Sequence, residues 1–232
     1  MTRLSLLIPS LAARQDELIR LQAELTRQID RDALPGEVEV LSLVDNGREP
    51  VGHKRNQLLA QASGEYVAFI DDDDWISQTY VKQICTSLRD HAHVDCLGIR
   101  GVVYFNGEHA HLFVHSRQYR HYFKKGHVYY RPPYHLNPVK REIAVKFPFP
   151  ALNFSEDIDW AMRLSRAGAL KTEWFIADVL YHYFSRRPWP LQWCIDATEA
   201  VRRPLGLEVA NRIRLQRWFR RVCTREPGKG VE

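Results

Sequence analysis

Four cysteines in 232 residues, with no CxxC pair, give this sequence no means of building a disulfide framework or a thiolate zinc site. Cys85, Cys96, Cys194 and Cys223 share no spacing with histidines either, so they read as buried packing residues from a reducing, cytoplasmic compartment. No run of about eighteen apolar residues occurs, so no transmembrane helix is expected. The apolar start, MTRLSLLIPSLAAR, lacks the length and small-residue cleavage site of a signal peptide and reads as a first core strand. Glycine is missing from PSLAARQDE, the segment after that strand. That argues against the basic, glycine-rich phosphate loop of a nucleotidyltransferase. What the chain does have is 45% hydrophobic and 11% aromatic residues, ample for a sizeable core.

The formal charge of +5 is unevenly spread. From Arg186 onward there are 11 Lys/Arg against 5 Asp/Glu, while the rest carries 22 against 23. The C-terminal fifth holds the whole excess, which fits a basic face for a polyanion or an anionic membrane surface.

Apolar runs at residues 4–8 and 38–44 read as buried parallel strands, and residues 16–29 between them read as a helix with Leu18, Leu21 and Leu25 on one face. A second helix over 52–63 leads through Gly64 into a third strand. Strand, helix, strand, helix, strand implies an α/β fold, a mainly parallel sheet with helices on both faces. Ligands gather at the carboxyl ends of such strands, where Ser10, Asp45 and the run Asp71–Asp74 all fall. A helix over 78–90 and strands near 94–105 and 110–115 extend the sheet, and a helix over 155–167 stops at Gly168. Residues 116–135 crowd aromatic and basic side chains around a Pro-Pro pair and read as a binding loop. One catalytic domain is expected over 1–185, with a basic helical extension over 186–232 packed on it.

The segment GEYVAFIDDDDWIS ends an apolar strand in four adjacent carboxylates, which repel one another and are costly to bury unpaired. Along an extended backbone Asp71 and Asp73 share a face. Hard oxygen donors there suit Mg²⁺ or Mn²⁺ beside a phosphate-bearing substrate. The alternative is an acidic turn in which Asp74 caps the next helix. Glu156-Asp157 likewise stands either as a helix-start carboxylate pair favoured by the dipole or as a catalytic pair.

Taken in order, the pieces resemble a family 2 glycosyltransferase of the GT-A fold, an inverting enzyme that uses a nucleotide-sugar. They are Leu6-Leu7-Ile8-Pro9, Asp45, Gly52 with Arg55-Asn56, Ala62-Ser63-Gly64-Glu65-Tyr66, Ile70 with the aspartate run, and Ser155-Glu156-Asp157 with Arg163-Leu164. The resemblance covers about residues 4–165 and implies roles. The loop at Pro9-Ser10 and Asp45 would hold the nucleotide base and ribose. Asp71, Asp72 and Asp73 would form the metal motif, with Asp73 the direct ligand and Asp71 nearer the ribose or a water. Asp157 would be the catalytic base. His182 would complete the metal or diphosphate site, with Arg186 beyond it on the diphosphate. Lys54 or Arg55 would reach a phosphate. Glu156, His135 and Asn137 would face the sugar or acceptor, and Trp75 and Trp160 would either pack in the core or line the acceptor site.

The implied donor is a nucleotide-sugar, UDP-linked by preference, and the acceptor is less legible. Residues 207–225 place Arg214, Arg217, Arg220 and Arg221 opposite an apolar side, a pattern fitting anionic lipid or a phosphate backbone. DNA bearing a hydroxymethylated base is the sharper reading of that polyanion, and it would require base flipping. A lipid-linked or cell-envelope saccharide is the alternative. A nucleotidyltransferase and a non-catalytic binding protein are the rivals from other classes. The sequence is silent on oligomeric state.

Overall fold

The structure, a computed structural model, describes residues 2–105 and 109–185. The extension expected over 186–232 lies outside the described residues, and with it Arg186, Cys194 and Cys223.

β1 (Leu4–Leu11) is buried along almost its whole length, and after a single 3-10 turn α1 (Gln15–Arg31) buries Leu18, Leu21 and Leu25. β2 (Val38–Asp45) lies parallel to β1 on one side. α2 (Val51–Gln61) then returns the chain to β3 (Tyr66–Phe69), parallel to β1 on the other side. The order β2–β1–β3 contains a reversal. Because parallel crossovers are right-handed, that reversal puts α1 and α2 on opposite faces and opens a crevice at the carboxyl ends of β1 and β3.

The two faces are then filled. α1 packs on α3 (Tyr80–Asp90), and α2 packs on α5 (Glu156–Ala167). The α2–α5 contact depends on Gly52. A Cβ there would fall 1.9 Å from the Pro150 carbonyl oxygen and 3.4 Å from the Glu156 Cβ, so only glycine lets the start of α2 come this close.

Beyond the first three strands the sheet is mixed. β4 (Trp75–Ile76) pairs antiparallel with β10 (Glu173–Ser185), and β10 runs parallel to β5 (Cys96–Phe105). β6 (His109–His115) follows β5, then β8 (Val128–Arg131), with β7 (Phe123–Lys125) at the edge. β9 (Val139–Lys140) joins β3 to β5, and a single turn, α4 (Arg141–Ala144), follows it. Residues 116–135, read from the sequence as a loop, therefore contain a hairpin. Phe123 and Tyr130 stack across it at 4.9 Å, and Tyr119 closes on Tyr130 at 5.0 Å. Ring contacts replace the apolar alternation that would have announced these strands. Cys85 and Cys96 are free and buried, as packing residues should be.

Candidate active site

The carboxyl ends of β1, β2 and β3 are tied together by side chains. The Ser10 hydroxyl donates to Asp72 Oδ2 at 2.6 Å, and Lys54 Nζ donates to the Ser10 carbonyl at 2.8 Å and to Asp45 Oδ1 at 2.6 Å. The Lys54 ammonium, then the Glu49 amide, hold the Asp45 carboxyl down at about 2. Lys54 is itself buried, so it serves as a strut and does not reach toward a phosphate. Pro9 is buried within β1 beside Leu43. Arg14, which nothing in the sequence marked out, donates to Asp72 Oδ1 at 2.6 Å and stands 3.0 Å from Asp73 Oδ2. Asp72 is fully enclosed by these partners and holds the crevice together rather than facing a ligand.

Asp71 leads to a second network. Arg55 Nη2 lies 2.9 Å from Asp71 Oδ1, and Arg55 Nε lies 3.2 Å from Glu156 Oε1. Arg55 is buried between these two carboxylates, so it too is unavailable to a phosphate. Burial opposes ionisation of Asp71, but Arg55 and then His135 bring its carboxyl well below the usual range. Glu156 goes the other way: burial, then the charge of Asp157, push it up to about 7 against the pull of Arg55. His135, 3% exposed, stands between two carboxylates, with Nε2 3.4 Å from Asp71 Oδ2 and Nδ1 3.7 Å from Asp157 Oδ2. Burial, then Arg55, lower its pKa against the pull of Asp71.

Asp157 sits in the first turn of α5, where the Ile158 amide donates to its Oδ1 at 2.7 Å and the Tyr134 hydroxyl donates to its Oδ2. The residue before this helix, Ser155, adopts a left-handed conformation at φ 65°. That geometry costs a non-glycine residue about 1 kcal/mol, and such strain gathers at functional sites. Asp159 points away and pairs with Arg163 at 2.7 Å.

Several expectations need correction. Asp74 does not cap α3. It is buried and accepts from the Tyr181 hydroxyl at 2.8 Å and the Phe184 amide at 3.0 Å. Trp160 is 2% exposed and stacks on Phe149 at 5.0 Å, so it belongs to the core and cannot line an acceptor site. Trp75 is the reverse, 55% exposed with the Arg20 guanidinium 4.8 Å from its ring centroid. Asn137 is buried, accepting from the Tyr134 amide and donating to the Leu97 carbonyl; it shapes a turn instead of touching a ligand. His182 pairs in register with Trp75 along β4–β10, beside the aspartates, while its Nδ1 lies 3.2 Å from the Tyr104 hydroxyl.

Within the aspartate run Arg14 and Arg55 pair with side-chain carboxylates, and Arg20 donates to the Asp72 and Asp74 carbonyls. Burial, then the charge of Asp71, raise the Asp73 pKa, and Arg14 offsets this only in part. Among the described residues no cluster of three or more His, Cys, Asp or Glu surrounds a common point. The donor set fits Mg²⁺ or Mn²⁺, which take one or two carboxylates and fill the remaining positions with water and substrate phosphates. Further along, residues 109–141 contain seven Lys/Arg and no Asp or Glu. Much of that charge lies on or next to the β7–β8 hairpin, where the Arg131 guanidinium stands 5.9 Å from the Tyr134 ring centroid.

Among curated proteins no sequence match is found. Solved structures do match in fold. One is TarS 1-349 of S. aureus in complex with UDP-GlcNAc, with TM-score 0.55 and 17% identity, aligned over 80% of this chain. This chain spans only 59% of that one. Another is glucosyl-3-phosphoglycerate synthase of Mycobacterium tuberculosis with Mn²⁺, UDP and glucosyl-3-phosphoglycerate, with TM-score 0.52 and 13% identity over 90% of this chain and 82% of that one. No described helix is long and apolar enough to cross a membrane. The sequence profile described as Glycosyl transferase family 2 matches residues 25–145, just over half of the chain. With the reversed β2–β1–β3 core and the aspartate run at its crevice, that match makes this chain a family 2 glycosyltransferase of the GT-A fold.

Proposed function

We propose that this enzyme transfers a sugar from a UDP-sugar to an acceptor hydroxyl with inversion at the anomeric carbon, using Asp157 as general base and a divalent cation at Asp73. The observation that carries the reading is the placing of Asp157. It is separated from the donor-side Asp71 by the single imidazole of His135, at 3.7 and 3.4 Å. A hydroxyl is a weak nucleophile, and a carboxylate within hydrogen-bond reach can take its proton as the new bond forms. Glu156 is less suited, since its carboxyl is enclosed beside Arg55. Mg²⁺ or Mn²⁺, when bound, would neutralise the departing diphosphate. The UDP-GlcNAc of the TarS complex and the UDP and Mn²⁺ of the synthase complex support the choice of donor and ion.

Inversion gives a direct test. An α-configured UDP-sugar should yield a β-linked product, read from the anomeric proton coupling by NMR; an α-linked product would rule out single displacement.

The acceptor reading we favour is a polyanion, with DNA bearing a hydroxylated base as the particular case and a lipid-linked saccharide at an anionic membrane as the alternative. The carboxylate-free stretch 109–141 supports it, because cations interleaved with exposed rings such as Phe123 suit phosphates and stacked bases together. The double charge reversal Lys124→Glu/Lys125→Glu should weaken binding of a single-stranded DNA oligonucleotide by about tenfold or more and flatten its salt dependence. UDP binding should stay unchanged. Equal oligonucleotide affinity in both proteins would remove the hairpin from the acceptor site.

A further inference from the structure

We infer that Tyr134 is the positioning residue of the general base, an inference that rests on the role proposed above for Asp157. Its phenol donates to Asp157 Oδ2 and the Ile158 amide donates to Oδ1, so one anchor comes from the base's own helix and the other from across the site. The helix amide fixes where the carboxylate begins; the phenol fixes which way it turns.

Tyr134 is built to do this. Pro132 and Pro133 restrict the backbone just before it. Asn137 then closes the turn: its Oδ1 accepts from the Tyr134 amide at 2.9 Å, and its own amide donates to the Tyr134 carbonyl at 3.0 Å. Asn137 Nδ2 pins the turn to β5 through the Leu97 carbonyl at 2.8 Å. The ring is boxed by His135 at 4.4 Å, His115 at 5.5 Å and Tyr122 at 6.2 Å. Burial, then the charge of Asp157, raise the phenol's pKa well above its ordinary value, so it remains a donor throughout the working range.

In the step it serves, the acceptor oxygen bonds to the anomeric carbon as the bond from that carbon to the diphosphate breaks. The electron pair leaves with the diphosphate, and the acceptor proton passes to Asp157. A carboxylate held at both oxygens keeps its remaining lone pairs in a fixed direction for that proton.

The test uses the full chain with Mn²⁺ and water as acceptor, following UDP release from whichever of UDP-glucose, UDP-galactose and UDP-GlcNAc reacts fastest. Tyr134→Phe keeps the ring and removes the donor. Its kcat should fall about ten- to hundredfold, while KM for the UDP-sugar and calorimetric affinity for UDP stay within about twofold of wild type. In an Asp157→Asn background the same substitution should cost nothing more, since Tyr134 acts only through that carboxylate.

Wild-type kcat in Tyr134→Phe would reduce Tyr134 to a satisfied buried hydroxyl. Additive losses in the double variant would overturn the inference as well, because Tyr134 would then act elsewhere. UDP release that persists in Asp157→Asn alone would overturn the base assignment itself, a failure visible before Tyr134 is touched. Matching UDP affinity shows that the variant is folded.

Discussion

Asp157→Asn should bind donor as the wild type does and transfer at about 10⁻² to 10⁻⁴ of its rate, the range a positioned general base contributes. The substitution is nearly isosteric. An amide oxygen can still accept from Tyr134 or from the Ile158 amide, so the start of α5 keeps its shape. What is lost is a group able to take a proton from the acceptor. In the proposed function the donor is held at the other end of the site, at the crevice where Ser10, Asp45 and the aspartate run are tied together. Steady-state kinetics beside calorimetric UDP affinity will separate the two effects. Transfer at wild-type rates in this variant would move the base elsewhere. Glu156 would then need a new account, since its carboxyl is buried against Arg55.

Asp73→Ala should have the opposite signature, with the fold intact and the metal-dependent part of donor affinity gone, an effect of several kcal/mol or roughly 10²-fold or more. Asp72 is locked by Ser10 and Arg14, and Asp71 by Arg55 and His135. Asp73 stands 3.0 Å from Arg14, and burial, then the charge of Asp71, raise its pKa. A carboxylate crowded in this way holds its negative charge at a cost that a divalent cation relieves. Its removal therefore costs little when metal is absent. UDP affinity that keeps its full response to Mn²⁺ in this variant would place the ion on other ligands.

Much of the α/β fold was readable from the chain because its signals are local. α1 was expected over 16–29 and is Gln15–Arg31, because Leu18, Leu21 and Leu25 mark one face at helical spacing. α5 ends where Gly168 takes φ 55°, a stop that glycine announces. The puzzle of four adjacent aspartates was only half legible. Sequence alone demanded a cation, but much of the neutralisation comes from Arg14 and Arg55, brought in by the fold. Arg14 meets Asp72 across 58 residues and Tyr134 meets Asp157 across 23, and no periodicity encodes either meeting. The tryptophans show the same limit. Trp160 lies on the core side of an amphipathic helix and is buried. Trp75 is exposed because β4 is two residues long and, among the described strands, pairs with β10 alone. The β7–β8 hairpin was missed because its faces are organised by stacked rings instead of alternating aliphatic residues.

The most direct test of the central claim is the melting temperature of the full chain with UDP-sugars, with and without Mn²⁺. A ligand at a hundred times its Kd stabilises the native state by about 2.7 kcal/mol, which for a protein of this size is a rise of about 5–10 °C. A rise is expected with at least one UDP-sugar; it should depend on Mn²⁺, be kept in Asp157→Asn and be lost in Asp73→Ala. No rise with any UDP-sugar at millimolar concentration in the presence of Mn²⁺ would overturn the assignment of donor and ion.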